Sequence, residues 1–161
     1  MAVSRGKQFE QKFQEQWLKT VPDSLCYRLY DTTMGYKSIV NVGDFICYRY
    51  PFIYLLDCKS NDSNTISFND IRQYEEMLKY KDIPGVIVGI IWWSIPNESV
   101  VFIPVQTLEK IKTEGKKSFN YKKMVGDSEY RCIVIPSKKL RTFLTSDYSE
   151  LIRKITNGVS D

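Results

Sequence analysis

Residues 85–93, GVIVGIIWW, form an unbroken apolar run introduced by a turn at Asp82–Gly85. The run is far shorter than the ~18 residues that suggest a membrane span. It also lacks the alternation of a strand with one wet face. It reads as a central strand covered on both sides, so the chain must place helices on two faces of a sheet. A further strand is expected from Ser99 to Val105, and a short helix from Thr107 to Thr113.

The N-terminal segment supplies one covering helix. Ser4 is a suitable cap, and Phe9, Phe13 and Trp17 recur every four residues, which places them on one stripe of a helix reaching Leu18 or Lys19. Glu10 falls at the border of that stripe, where its carboxylate can turn toward the body of the protein. A second helix is expected from Phe68 to Lys79, opened by a Ser67–Asp70 capping box. Its apolar line is Ile71, Tyr74 and Leu78, with Gln73 and Met77 on the neighbouring line. Strands are expected at Leu25–Tyr30 and Tyr130–Ile135, the latter stopped by Pro136, and a last helix at Tyr148–Ile155. No repeat or long linker divides residues 1–161, which read as one α/β domain.

The stretch DFICYRYPFIYLLDCK, Asp44 to Lys59, carries the chemistry. Phe45–Tyr48 and Ile53–Leu56 suit two pleated strands, and the Tyr50-Pro51 pair between them marks a turn. A turn centred there sets Asp44 opposite Asp57, with Cβ atoms roughly 5 Å apart. Alternation puts Asp57 and Lys59 on one face and Cys58 on the other. Like charges opposed in this way are destabilising, but a magnesium ion would reverse the effect, because it takes one or two carboxylates and keeps several waters. The adjacent lysine could orient or deprotonate an attacking water. A rim of solvated Asp and Lys side chains is the plainer alternative.

Composition narrows the chemistry. The chain has no histidine, which removes Ser-His-Asp triads and H-E-x-x-H zinc sites. Four scattered cysteines without a C-x-x-C pair read as free thiols. The polar start MAVSRGKQFEQKF lacks a signal-peptide core, so a cytoplasmic location is expected, with no membrane association. The net charge of +4 is mild, but lysines gather at 110–123 and again at 138–139. The segment EGKKSFNYKK interleaves lysines with aromatics, as a nucleic-acid contact would, or as a solvated basic face. Lys116 and Lys117 are its candidate DNA contacts, and Arg28, Lys37 and Arg49 are further candidates to meet phosphates.

Taken together, RGKQFE in the first helix, GDF opening the hairpin, LLDCKS closing it and IRQYEEM beyond it resemble the PD-(D/E)-x-K nuclease superfamily. Within it they are most similar to RecU-type Holliday junction resolvases of Gram-positive bacteria and their phages. The resemblance covers most of residues 4–104, and the GKKS loop beyond. It implies a restriction-endonuclease-like mixed central sheet flanked by helices on both faces. It also implies a homodimer that nicks two strands of a four-way DNA junction with Mg²⁺, for which Mn²⁺ could substitute. Asp44, Asp57 and the Cys58 carbonyl would bind the metal, and Glu10 would bind it or orient its water. Lys59 would position the attacking water, and Gln73 would support the site. Family members more often carry Glu at the position of Asp57, and the segment Arg28–Asn41 is short for the projecting stalk of that family. Flaps, forks or plain duplex are alternative substrates, and a silent DNA-binding accessory protein is a further alternative.

Overall fold

The computed structural model of the protein describes residues 4–30 and 40–158. In chain order the first elements are α1 (Arg5–Thr20), β1 (Leu25–Arg28), β2 (Phe45–Arg49), β3 (Phe52–Asn61) and β4 (Thr65–Ser67). Next come α2 (Tyr74–Leu78), β5 (Val86–Ser94), β6 (Ser99–Pro104), α3 (Val105–Thr113), β7 (Ser118–Asn120) and α4 (Tyr121–Met124). The chain closes with β8 (Ile133–Ile135), β9 (Ser137–Lys139), β10 (Leu144–Ser146) and α5 (Ser149–Gly158). Six strands form one mixed sheet in the order β1-β2-β3-β5-β6-β8. Only β3 and β5 run parallel; the other neighbours are antiparallel.

The apolar run is the interior strand β5, flanked by β3 and β6. Gly89 interrupts it because a Cβ there would stand 2.3 Å from the Ile103 carbonyl oxygen. On one face α1 seats Phe9, Phe13 and Trp17 against Phe45, Tyr54 and Leu56, and α5 adds Leu151 to the same core. On the other face Met77 of α2 and Leu108 and Ile111 of α3 cover Leu55, Val88, Ile90, Trp92 and Val101. The two-sided covering expected from the sequence is therefore present.

Several boundaries differ from those the sequence suggests. The helix expected over 68–79 is broken into a 3₁₀ turn at Phe68–Asp70 and the short α2. Ser67 caps the first turn, its hydroxyl accepting the Asn69 N–H at 3.0 Å, but Ile71 leaves the helical conformation (φ −110°, ψ 72°) and ends that turn before Gln73. Gln73 therefore sits at the N-terminal edge of α2 rather than inside a long helix. Strand β3 continues past Leu56 because its pairing with β5 runs on to Asn61 opposite Ser94, so Asp57 and Lys59 lie within a strand. The strand expected at Tyr130–Ile135 shrinks to Ile133–Ile135, since Arg131 takes a positive φ of 47°. The β9–β10 hairpin and the β4–β7 pair had no expectation attached to them. Among the described residues no helix is long and apolar enough to cross a membrane.

Candidate active site

The hairpin register is the one the turn implies. Phe45 pairs with Leu56 and Arg49 with Phe52, which carries Asp44 to the position opposite Asp57. Gly43 permits this approach, because a Cβ there would lie 2.5 Å from the Leu56 carbonyl oxygen. Asp44 is then fastened from both sides. Its carbonyl accepts the Leu29 N–H at 2.7 Å, and its Oδ2 accepts the Cys58 N–H at 2.8 Å.

Asp57 is fully buried, and neither of its carboxylate oxygens receives a hydrogen bond from the described residues. Lys59 Nζ lies 3.0 Å from Asp57 Oδ2, within ion-pair distance but out of hydrogen-bond alignment. Burial first, and the neighbouring Asp44 carboxylate second, push the Asp57 carboxyl up to about 8, against the opposing pull of Lys59. An orphaned buried acid beside a second acid is an expensive arrangement without a counter-charge.

Glu10 reaches the same site from α1. Burial and then Asp44 raise its pKa, while Arg28 and Lys59 lower it. The Arg28 guanidinium is ion-paired with the Glu10 carboxylate and lies over the rings of Tyr30 and Phe45 at 5.6 and 5.8 Å. Arg28, expected as a DNA contact, is thus part of the site's interior scaffold. The parity of β1 contains this signal, because Cys26 and Arg28 share the face that α1 covers.

Cys58 turns its side chain into the core beneath α1, where burial holds the thiol well above its ordinary range. Only its backbone faces the site. Gln73 stands on the side of the sheet toward which Leu55, Asp57 and Lys59 alternate, and its Oε1 is buried without a partner among the described residues. Among the described residues no group of three or more His, Cys, Asp or Glu side chains is gathered closely enough to hold an ion. The donor set is therefore the Asp44–Asp57 pair, with Glu10 held back by Arg28. Two opposed hard carboxylate donors, of which Asp57 has both oxygens without a hydrogen-bond partner among the described residues, match a divalent cation that retains much of its water.

The basic segment forms a separate surface. Lys116 donates to Glu114 at 2.9 Å and to the Tyr130 hydroxyl at 2.7 Å. Lys110 and Lys112 pair with Glu114 and Glu75. Lys117 and Lys123 make no ion pair among the described residues and border a cleft of about 400 Å³ with Ser118 and Asn120. Lys37 lies outside the described residues.

No family model matches the chain, and no curated protein matches it. Among solved structures it is similar to a Holliday junction resolvase from the archaeal hyperthermophile Archaeoglobus fulgidus. That likeness has a TM-score of 0.53 at 17% identity and covers 78% of this chain and 91% of the other. The six-stranded mixed sheet with its two helical layers is the restriction-endonuclease-like fold of that protein.

Proposed function

We propose that this protein is a metal-dependent, structure-selective DNA endonuclease that resolves four-way junctions in recombination and repair. The observation that carries the reading is the buried Asp57, opposed by Asp44 and touched by Lys59, on the fold of a known junction resolvase. Asp44 and Asp57, with the Cys58 carbonyl, would hold Mg²⁺ or Mn²⁺. When bound, the ion makes water nucleophilic at neutral pH and offsets negative charge on the scissile phosphate. Lys59 orients the attacking water and stabilises the charge that develops as a P–O bond forms and the bond to the leaving sugar oxygen breaks. Glu10, clamped by Arg28, holds water at the edge of the site, and the Gln73 amide lines its far side. Lys117 and Lys123, with Lys116 behind them, contact phosphates away from the cut. Paired nicking implies two copies of the chain, as in RecU-type enzymes.

The deciding experiment is nicking of a mobile four-way junction beside a duplex of the same sequence, with Mg²⁺, Mn²⁺ and Ca²⁺ in parallel. Preferential, symmetric cleavage of the junction with Mg²⁺ or Mn²⁺ is the expected result. Equal rates on both DNAs would move the substrate to duplex or other branched forms. Retained nicking in an Asp57→Asn variant would overturn the site.

A further inference from the structure

Cys26, Cys47 and Cys58 are free thiols in the core beneath α1, and two of them touch. Cys26 of β1 and Cys47 of β2 are cross-strand partners, and the Cys47 thiol donates to the Cys26 sulfur at 3.3 Å. In the same register the Leu29 N–H donates to the Asp44 carbonyl at 2.7 Å, which makes Leu29 and Asp44 a hydrogen-bonded pair. Bonded and non-bonded pairs alternate along an antiparallel ladder, so Cys26 and Cys47 form a non-bonded pair. In such a pair the Cα atoms stand about 4.5 Å apart and the side chains come closest. That separation lies inside the roughly 4.4–6.8 Å that a disulfide spans. The other thiols have no such access to this pair. Cys58 follows Tyr54, the partner of Cys47, by four residues of β3, about 13 Å along the strand. Cys132 packs on the opposite face of the sheet.

We propose that Cys26 and Cys47 are a site of reversible oxidation, closed to a disulfide by hydrogen peroxide and reopened by thiols. Cys26 is the point of entry, because it lies on the edge strand of the sheet and is 8% exposed, whereas Cys47 is 0% exposed. The Cys26 sulfur attacks the peroxide, the O–O bond breaks, and water leaves as the sulfenic acid forms. The Cys47 sulfur then attacks Cys26, and the S–O bond breaks as the departing oxygen takes the Cys47 proton and leaves as a second water. Two thiols thus give up two electrons and two protons to one peroxide. Burial holds the Cys47 thiol above its ordinary range, so the pair responds slowly. The bond fastens the edge strand β1 to β2 and closes residues 26–47 into a loop, which removes freedom from the unfolded chain. Arg28, which holds Glu10, is two residues from Cys26 on the same face, so the bridge also anchors that clamp. The pair shares no residue with the acid site, and its oxidation stands or falls apart from the proposed cleavage.

The test is prolonged exposure of the native full chain to hydrogen peroxide, then denaturation, alkylation of the remaining thiols and mass spectrometry of the intact and digested protein. The expected product has two alkylated cysteines where the reduced chain has four. It contains a Cys26–Cys47 cross-link and returns to four alkylated cysteines after dithiothreitol. It should also melt at a higher temperature than the reduced chain, a gain that Cys26→Ser and Cys47→Ala should each abolish. Either variant suffices if the other misfolds, and the cross-link map of the wild type needs neither. Four alkylated cysteines after peroxide, a cross-link through Cys58 or Cys132, or sulfinic acid in place of a bond would overturn the proposal. So would a cross-linked chain that melts no higher than the reduced one.

Discussion

At the acidic end of the hairpin, Asp57 keeps two buried oxygens without a donor, whereas in the basic segment Lys116 shares its charge between Glu114 and Tyr130. The first cluster is undercompensated and buried; the second is compensated and half exposed. Burial makes the difference consequential, because one ion pair to Lys59 does not offset the desolvation of a fully buried carboxyl set against a second acid, whereas a surface pair costs and contributes little. The proposed Mg²⁺ would supply the positive charge that this site lacks. A surface that has already paired Lys110, Lys112 and Lys116 offers the lysines left over, Lys117, Lys122 and Lys123 among the described residues.

The comparison breaks most decisively at Asp57. Asp57→Asn should lower metal-dependent nicking by about 10³-fold or more while raising the melting temperature of the metal-free protein above about pH 8, where the amide removes a charge opposed to Asp44. A parallel loss of stability and activity would show that Asp57 is merely structural. Lys59→Ala should lower nicking by roughly 10²-fold and leave metal-dependent stabilisation in place, which thermal melts with and without Mg²⁺ would report.

Proton linkage gives the next effect. Folding raises the Asp57 carboxyl from 3.8 to about 8, so the folded chain keeps a proton that the unfolded chain releases over that interval. The associated stability is complete below 3.8 and is lost as pH rises through about 8. Metal-free protein should thus melt at progressively lower temperature across this window. Stabilisation by Mg²⁺ should grow across it, since the ion displaces the proton. A metal-free melting curve that is flat with pH, with Asp57→Asn no different, would contradict the acid-pair description.

Smaller effects sharpen the same contrast. Arg28→Ala should cost about 1.5–3 kcal/mol of stability, the worth of a charged hydrogen bond, measurable by denaturant titration, and should release Glu10. On the basic side, Lys117→Ala and Lys123→Ala should each reduce the salt slope of DNA binding by about one ion. Lys116→Ala should change it least, because Glu114 and Tyr130 already hold that ammonium.

Much of this was legible in the chain because periodicity and register are local. The four-residue spacing of Phe9, Phe13 and Trp17 built α1 with all three buried, and Ser4 capped it as expected. The turn at Tyr50-Pro51 fixed the pairing that sets Asp44 against Asp57. The reading failed at the helix expected over 68–79, because Ile71, buried in the core, leaves the helical conformation and separates a 3₁₀ turn from α2. It also failed where a distant partner extended an element, as β5 did for β3.

By itself, then, the sequence determined which residues face each other across the hairpin and which strand lies inside the sheet, because alternation and apolar content act over a few neighbours. Only the tertiary structure decided how those residues are charged and exposed. It buried Asp57 completely, drew Arg28 onto Glu10 across 18 residues of chain, paired Lys112 with Glu75, and left Tyr27 and Ile53 open to solvent. Those outcomes depend on elements that meet only when the sheet and its two helical layers have assembled, and no local pattern encodes them.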